Sequence, residues 1–339
     1  MSSKVRIAIL GCGGFAGAHA QRLKKREDVQ IVALCDVKKE ITAGYIERHL
    51  ADDTAASAQF TDPAEMYREA TPDAVFICTP HTMHFDHAMQ ALDADCHTFI
   101  EKPMVTEAEQ AYALKARADA SGKIVVVGYN SSCTPELQFI RETIRSGRFG
   151  KLELVVGHLS QGWMRGTAGK WRQDPALSGG GQAYDSGAHL FNSLVWSVEA
   201  DIDQVFAFVD NHGTPVDINS SVNIRFGNGV LASIVIGGNC PTGGGHMSFM
   251  FEKGKINVDG WNGSWIEVFD GPNRVKYPTI VGEAVTPDDN FIDAIRGKAE
   301  PAATPVNGIV QSELMDAIYE SARTGAAARP KRNAAASAT

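Results

Sequence analysis

The chain has 339 residues, enough for two domains, and its 44% hydrophobic and 21% charged content describes a globular protein with an ample core. A formal net charge of −8 argues against nucleic acid or an anionic membrane surface as a partner. No apolar run approaches the ~20 residues of a membrane span, and Met1–Arg6 leads straight into the first strand with no room for a signal peptide. Six cysteines without CxxC or zinc-like spacing complete the expectation of a reduced, cytoplasmic protein.

Ile7–Leu10 reads as a buried strand that breaks into Gly11-Cys-Gly13-Gly14-Phe15-Ala16, and Phe15 to Arg26 then has helical character. Strand, glycine turn and helix, with small residues at 11, 13 and 16, form a dinucleotide fingerprint. Gly11 permits the tight turn, Gly13 lets backbone approach a pyrophosphate, and Ala16 lets helix and strand pack closely. The helix N-terminus offers free N–H groups to the phosphates. A second strand, Gln30–Cys35, ends in Asp36, about 20 residues on, where an acid binds both ribose hydroxyls and repels a 2′-phosphate. NAD is the expected cofactor; Lys38 and Lys39 leave NADP as the alternative.

The pattern continues with a helix over Lys39–Leu50, a polar, alanine-rich connection and a helix over Pro63–Ala70. Strand Asp73–Cys78, helix Met83–Asp93, strand Cys96–Ile100, helix Glu107–Ser121 and strand Lys123–Gly128 follow. This alternation predicts a doubly wound parallel sheet, a Rossmann domain, over residues 1–127.

From 128 to 325 an α+β domain is expected. Helix Pro135–Ser146 and strand Leu152–His158 precede a long polar loop with two tryptophans and a glycine triplet. Helix Ala183–Val198 comes next, then strands Gln204–Val209, Ile218–Phe226, Val230–Ile236, Met247–Phe251, Lys255–Val258 and Trp265–Phe269, with a hairpin turn at Asn228-Gly229. These predict a large, mostly antiparallel sheet covered by helices on one face. Helices near Asp288–Arg296 and Asn307–Thr324 complete it, one of them free to pack back on the first domain. Val205–Val209 and Val230–Ile236 are apolar on both faces, and one helix layer covers one face only. The other face is expected to meet a second subunit, in a homodimer or homotetramer; a terminal segment folded over it is the alternative. Residues 326–339, alanine-rich, are expected to be disordered.

Ligands of doubly wound sheets bind at the carboxyl ends of the strands. Two such ends stand out, Thr79-Pro80-His81-Thr-Met-His84 and Glu101-Lys102-Pro103. With Gly11, Gly13, Gly14, Phe15, Ala16 and Asp36, the residues Thr79, Pro80, His84, Glu101 and Lys102 make up the expected cofactor contacts, His84 beside the nicotinamide. Lys102 would be a proton shuttle or an orienting donor to a substrate hydroxyl, or else a surface ion pair with Glu101. In the second domain Asp185 and His189, four apart, would share a helix face, with Asn192 and Trp196 continuing the stripe. Histidine is well matched to accepting a hydroxyl proton near neutral pH; a capping Asp and a packed His form the bland alternative. Trp163, Arg165, Trp171 and Arg172 are candidates for a carbohydrate wall, or for core and interface packing. His81, His84 and His87 have metal-like spacing but no acidic or cysteine cluster accompanies them, and no metal is expected.

The N-terminal fingerprint, Thr79-Pro80 followed by His, Glu101-Lys102-Pro103, and Gly179-Gly-Gly followed by Asp185-x-x-x-His189 occur in an order that resembles the glucose–fructose oxidoreductase / inositol dehydrogenase / MocA family, over about residues 4 to 325. The resemblance implies hydride transfer between NAD or NADP and a secondary alcohol of a sugar, anhydrosugar, glycoside or cyclitol, with Lys102, Asp185 and His189 as the catalytic triad. His189 would take the hydroxyl proton while Lys102 steadies the oxyanion, or Lys102 would itself be the base; Asp185 would orient the substrate or His189. Two departures fall on the substrate side, Asn192 where the family often has Asp, and Tyr129-Asn130 where it often has arginines. Two rival readings are an NAD-retaining glycosidase working by transient oxidation and elimination, and a non-catalytic regulator that binds NAD and sugar.

Overall fold

The computed structural model describes residues 4–51, 57–261, 263–280, 282 and 284–332. The chain divides into two compact units, one of Met1–Val105, Gln110–Gly128 and Thr286–Val306, the other of Thr106–Glu109, Tyr129–Val285 and Asn307–Thr339.

In the first unit, β1 (Val5–Leu10), β2 (Val29–Cys35), β3 (Ala58–Phe60), β4 (Ala74–Ile77), β5 (His97–Ile100) and β6 (Val125–Val127) form a parallel sheet of order β3-β2-β1-β4-β5-β6. Ile7, Ala8 and Ile9 of β1 and all four residues of β4 are 0% exposed, as a sheet buried on both faces requires. Strand β3 lies in what the sequence presents as a connection. It pairs with β2 for three residues and buries only Phe60, so it carries no alternation to read. The helix after β2 runs as α-helix over Lys39–Tyr45 and widens to a π-turn over Ile46–Leu50.

The chain returns to the first unit within the stretch 128–325, through one of the two helices left free to do so. Helix Pro287–Ile295 belongs to the first unit, where Phe291 and Ile292 are 0% exposed and the Phe291 ring packs 5.5 Å from Phe76 and 5.7 Å from Phe99. Charge reinforces the docking. Arg22 bonds Asp288 at 2.9 Å, and Arg26 bonds Asp289 at 3.2 Å and Asp293 at 2.6 Å.

The second unit holds β7 (Leu152–Ser160), β8 (Ile202–Asp210), β9 (Asn219–Phe226), β10 (Leu231–Gly237), β11 (Gly244–Phe251), β12 (Gly254–Val258), β13 (Ile266–Asp270) and β14 (Asn273–Arg274). Their order is β14-β13-β12-β11-β7-β10-β9-β8, antiparallel except for the β7–β10 pair. Gly229 takes φ +92° in the β9–β10 turn, the left-handed conformation that suits glycine. One face packs Val155, Val205, Val222 and Ile234 against Leu190, Leu194 and Ile318. The other leaves Leu154, Val156, Phe208, Leu231 and Val235 at 42–66% exposed.

Part of the expected disordered tail is in fact placed. Ala328 and Val205 exchange two backbone hydrogen bonds of 2.8 Å, Arg329 pairs with Asp203 at 2.6 Å and Arg332 with Asp201 at 3.1 Å. Strand β8 is a sheet edge, and its unpaired backbone supplies the partner that an alanine-rich segment lacks on its own. Residues 333–339 lie outside the described residues. No described helix is long and apolar enough to cross a membrane.

Candidate active site

The fingerprint is built from backbone. Gly11 has φ +90°, and a Cβ there would stand 2.7 Å from the Cys78 carbonyl carbon, so the turn between β1 and the following helix admits only glycine. A Cβ at Gly13 or Gly14 would meet nothing within 4 Å. These two glycines are therefore not required by the protein's own packing. Helix Ala16–Leu23 starts without a side-chain cap, leaving its first N–H groups for an anion, with Phe15 at the cap position and 54% exposed. Ala16 accepts the Tyr45 hydroxyl at 2.6 Å. At the end of β2, Asp36 accepts from Cys12 N at 2.7 Å and from Val37 N at 2.8 Å, which fixes its carboxylate beside the glycine turn.

Thr79 and Pro80 follow β4, and the Thr79 hydroxyl meets His87 Nδ1 at 3.0 Å. The expectation of His84 beside the nicotinamide is corrected. His84 is 0% exposed, with Nδ1 2.7 Å from the Pro103 carbonyl and Nε2 2.9 Å from the Thr79 carbonyl. It lies between the Thr79-Pro80 turn and the Lys102-Pro103 turn and, with burial pulling its pKa below the ordinary histidine value, donates its one N–H to one of the two carbonyls. The spacing of His81, His84 and His87 belongs to this buried corner, and no group of three or more metal-binding side chains occurs among the described residues. Lys102 stands half-buried at the end of β5, and the Lys102–Pro103 peptide is cis. Glu101 is buried, its Oε1 3.0 Å from His19 Nε2.

The second unit carries Asp185 and His189. The helix starts at Gly187, so Asp185 sits in the turns before it and shares no helix face with His189, contrary to the four-residue spacing. The preceding segment is held by Asp217, whose carboxylate takes the backbone N–H of Gly181 at 2.6 Å and of Ala183 at 2.8 Å, as well as the Tyr319 hydroxyl at 2.6 Å. Asp185 is buried, and its Oδ2 accepts from Trp163 Nε1 at 2.8 Å and Arg172 Nε at 2.9 Å. Trp163 and Arg172, expected as a sugar wall, are thus committed to the carboxylate, while Arg172 also stacks 4.5 Å above the Trp171 ring. Arg165 is exposed on the short helix Trp163–Gly166. His189 is half-buried, with Nδ1 3.3 Å from Asn130 Oδ1 and its ring edge-on to Trp261 at 4.9 Å. Tyr129 is 1% exposed, which removes it from a substrate wall. Asn192 is 1% exposed and packs inside the helix layer. Lys102 belongs to the first unit, Asp185 and His189 to the second.

Sequence reading missed His19, Asp217 and Trp261. His19 is the histidine of the fingerprint helix and hides as an ordinary helix residue; Asp217 and Trp261 lie 32 and 72 positions beyond Asp185 and His189, at spacings no local pattern reports.

A doubly wound sheet with this glycine turn and acid defines an NAD-binding domain of an oxidoreductase, and the residues present fit the cofactor. The family model described as "Oxidoreductase family, NAD-binding Rossmann fold" matches residues 5–129, and "GFO/IDH/MocA C-terminal domain" matches residues 137–257. The chain belongs to the GFO/IDH/MocA oxidoreductase family. It is 28% identical over 201 residues to the D-glucoside 3-dehydrogenase of Escherichia coli, covering 58% of this chain and 54% of that one, so it spans about half of that relative's length. It is 23% identical over 339 residues to the inositol 2-dehydrogenase of Rubrobacter xylanophilus, covering 96% and 93%. The WlbA dehydrogenase from Bordetella pertussis, solved in complex with NADH and UDP-GlcNAcA, has the same fold, with TM-score 0.86 at 23% identity over 98% of this chain and 99% of that one.

Proposed function

We propose that this protein oxidises a secondary alcohol of a sugar, anhydrosugar, glycoside or cyclitol to the ketone, or runs the reverse reduction, with Lys102, Asp185 and His189 as its catalytic residues. The observation that carries the reading is the buried Asp185 carboxylate, held by Trp163 and Arg172, four residues before a half-buried His189 whose ring is set by Asn130 and Trp261. The glucoside and inositol dehydrogenases among its relatives support the substrate class. NAD supplies the hydride acceptor. The chain's own part is to orient the carbinol and move its proton. An Nδ1–H donated to Asn130 leaves the His189 Nε2 lone pair to accept the hydroxyl proton. The Lys102 ammonium stabilises negative charge on the oxygen, and the doubly bonded Asp185 has a fixed acceptor geometry for a sugar hydroxyl or for His189. The fixed Asp36 carboxylate supports NAD over NADP.

The test is NADH absorbance with NAD or NADP and a panel of hexoses, inositols, anhydrosugars and glycosides. Net NADH formation that Lys102→Ala lowers by at least about 100-fold is expected. Glycoside cleavage without net NADH would replace this reading with an NAD-retaining glycosidase. Silence on the whole panel with NAD still bound would replace it with a regulator.

The same reading includes a homodimer or homotetramer built on the open face of the second sheet, supported by Leu154, Val156, Phe208, Leu231 and Val235 standing exposed on it. Sedimentation of a monomer at all micromolar concentrations would remove that part. A cytoplasmic setting is supported by all six cysteines being free thiols.

A further inference from the structure

His19 is an enclosed polar junction of the first unit. Its side chain is 1% exposed, and both ring nitrogens face carboxylate oxygens, Nδ1 at 2.6 Å from Asp288 Oδ1 and Nε2 at 3.0 Å from Glu101 Oε1. A neutral imidazole has one N–H and one lone pair, so it can donate to only one of two ionised carboxylates; an imidazolium donates to both. Asp288 in turn takes Arg22 at 2.9 Å. The chain Arg22–Asp288–His19–Glu101 then alternates in sign and sums to zero, the condition under which such charges tolerate burial. Burial itself opposes the cation, but the Cys78 sulfur and the hydrogen bonds to Asp288 and Glu101 outweigh it and raise the His19 pKa well above its ordinary value. The rings of Phe15, Phe76 and Phe99 stand 5.4, 5.3 and 5.1 Å from the imidazole, edge-on or tilted.

Glu101 is as tightly specified as its partner. Its N–H continues the sheet by bonding Ile77 O at 2.9 Å, and a Cβ at Gly128 would stand 2.9 Å from its Oε1, so the neighbouring strand end leaves room for this carboxylate. One peptide bond further on is Lys102.

We propose that His19 is a positioning residue for this enzyme: clamped between Asp288 and Glu101, it fixes the Glu101 carboxylate and, through the chain, the pose of Lys102. The proposal rests on the catalytic assignment of Lys102 made above. It also gives helix Pro287–Ile295 a role in the site, since that helix supplies Asp288 from the far end of the chain.

The experiment uses the full chain with NADH bound. In 15N-histidine spectra, with His19→Asn to assign the signal, both His19 ring nitrogens are expected in the protonated range between about pH 6 and 8, against an ordinary histidine pKa of about 6.5. A neutral tautomer there would overturn the proposal. In reductively 13C-methylated protein, His19→Asn is expected to move the dimethyl-Lys102 resonance while NADH affinity stays within about threefold, and to lower kcat at least ~10-fold on any polyol the panel identifies. A folded His19→Asn protein with an unmoved Lys102 resonance, even with a lowered Tm, would reduce His19 to a structural residue and sink the idea. Should His19→Asn fail to fold, Glu101→Gln, which retains the His19–Asp288–Arg22 chain, carries the same test with the same expected movement. Absence of turnover on every polyol would strike the functional reading and leave the two resonances to judge this one.

Discussion

The two units of the protein hold their candidate residues differently. In the first, the sheet is buried on both faces and the cofactor elements are mostly backbone, a glycine turn and an uncapped helix start, with one side chain, the Asp36 carboxylate, itself fixed by backbone N–H groups one residue beyond β2. In the second, the sheet is covered on one face, and the candidate side chains Asp185 and His189 are held by other side chains from distant loops. Trp163 reaches Asp185 across 22 residues, and Asn130 reaches His189 across 59. A backbone site is set by conformation and fails when the conformation is forbidden. A side-chain site is set by a web of donors and weakens one donor at a time.

The comparison is broken or sharpened first at the glycines. Gly11→Ala places a Cβ against Cys78 in a left-handed conformation and should cost upwards of about 2 kcal/mol, read as a lowered Tm with or without NAD. Gly13→Ala meets no protein atom, so its Tm should match the parent while NADH affinity falls about tenfold or more. Equal thermal losses for both would mean that the turn answers to the fold and not to the cofactor.

In the second unit, Trp163→Phe keeps an aromatic six-membered ring and removes the indole N–H donor to Asp185 Oδ2. With Arg172 still bonded, a stability loss of about 1–2 kcal/mol and a fall of about tenfold in kcat/KM are expected. Unchanged kinetics would show that Asp185 is held from elsewhere.

The smallest effect is a pH dependence. Glu199 opposes its own burial by pairing with Arg141 and with Arg145 at 2.5 Å, and its pKa is lowered to about 2. A depressed carboxylate contributes stability that is present above its unfolded value of about 4.3 and disappears as pH falls through the folded one. Glu199→Gln should therefore cost at most about 1 kcal/mol at neutral pH, the ceiling for such a partly exposed pair, and clearly less near pH 2, where the carboxylate is half protonated. Denaturation curves at the two pH values check it, and a cost undiminished in acid would contradict the charge pairing.

The sequence by itself determined whatever is written in contiguous residues. Strand, glycine turn, helix, second strand and acid lie within residues 5–36, and their chemistry depends on backbone conformations that glycine and neighbouring apolar runs dictate locally. The alternating pattern of β9 and the two-sided apolar runs of β8 and β10 likewise announced a sheet with one face to spare. Tertiary structure alone decided which donors hold Asp185, because Trp163 and Arg172 reach it from 22 and 13 residues away, and it alone set the helix start at Gly187, two residues after Asp185. It alone decided that His84 is buried between two turns, since both of its neighbours are backbone carbonyls with no side-chain signature. And it alone decided that Pro287–Ile295 completes the first unit, because the contact is made by Phe291 with Phe76 and Phe99 and by acids with Arg22 and Arg26, across more than half the chain length, where burial and charge pairing act in space and leave no periodicity in the sequence.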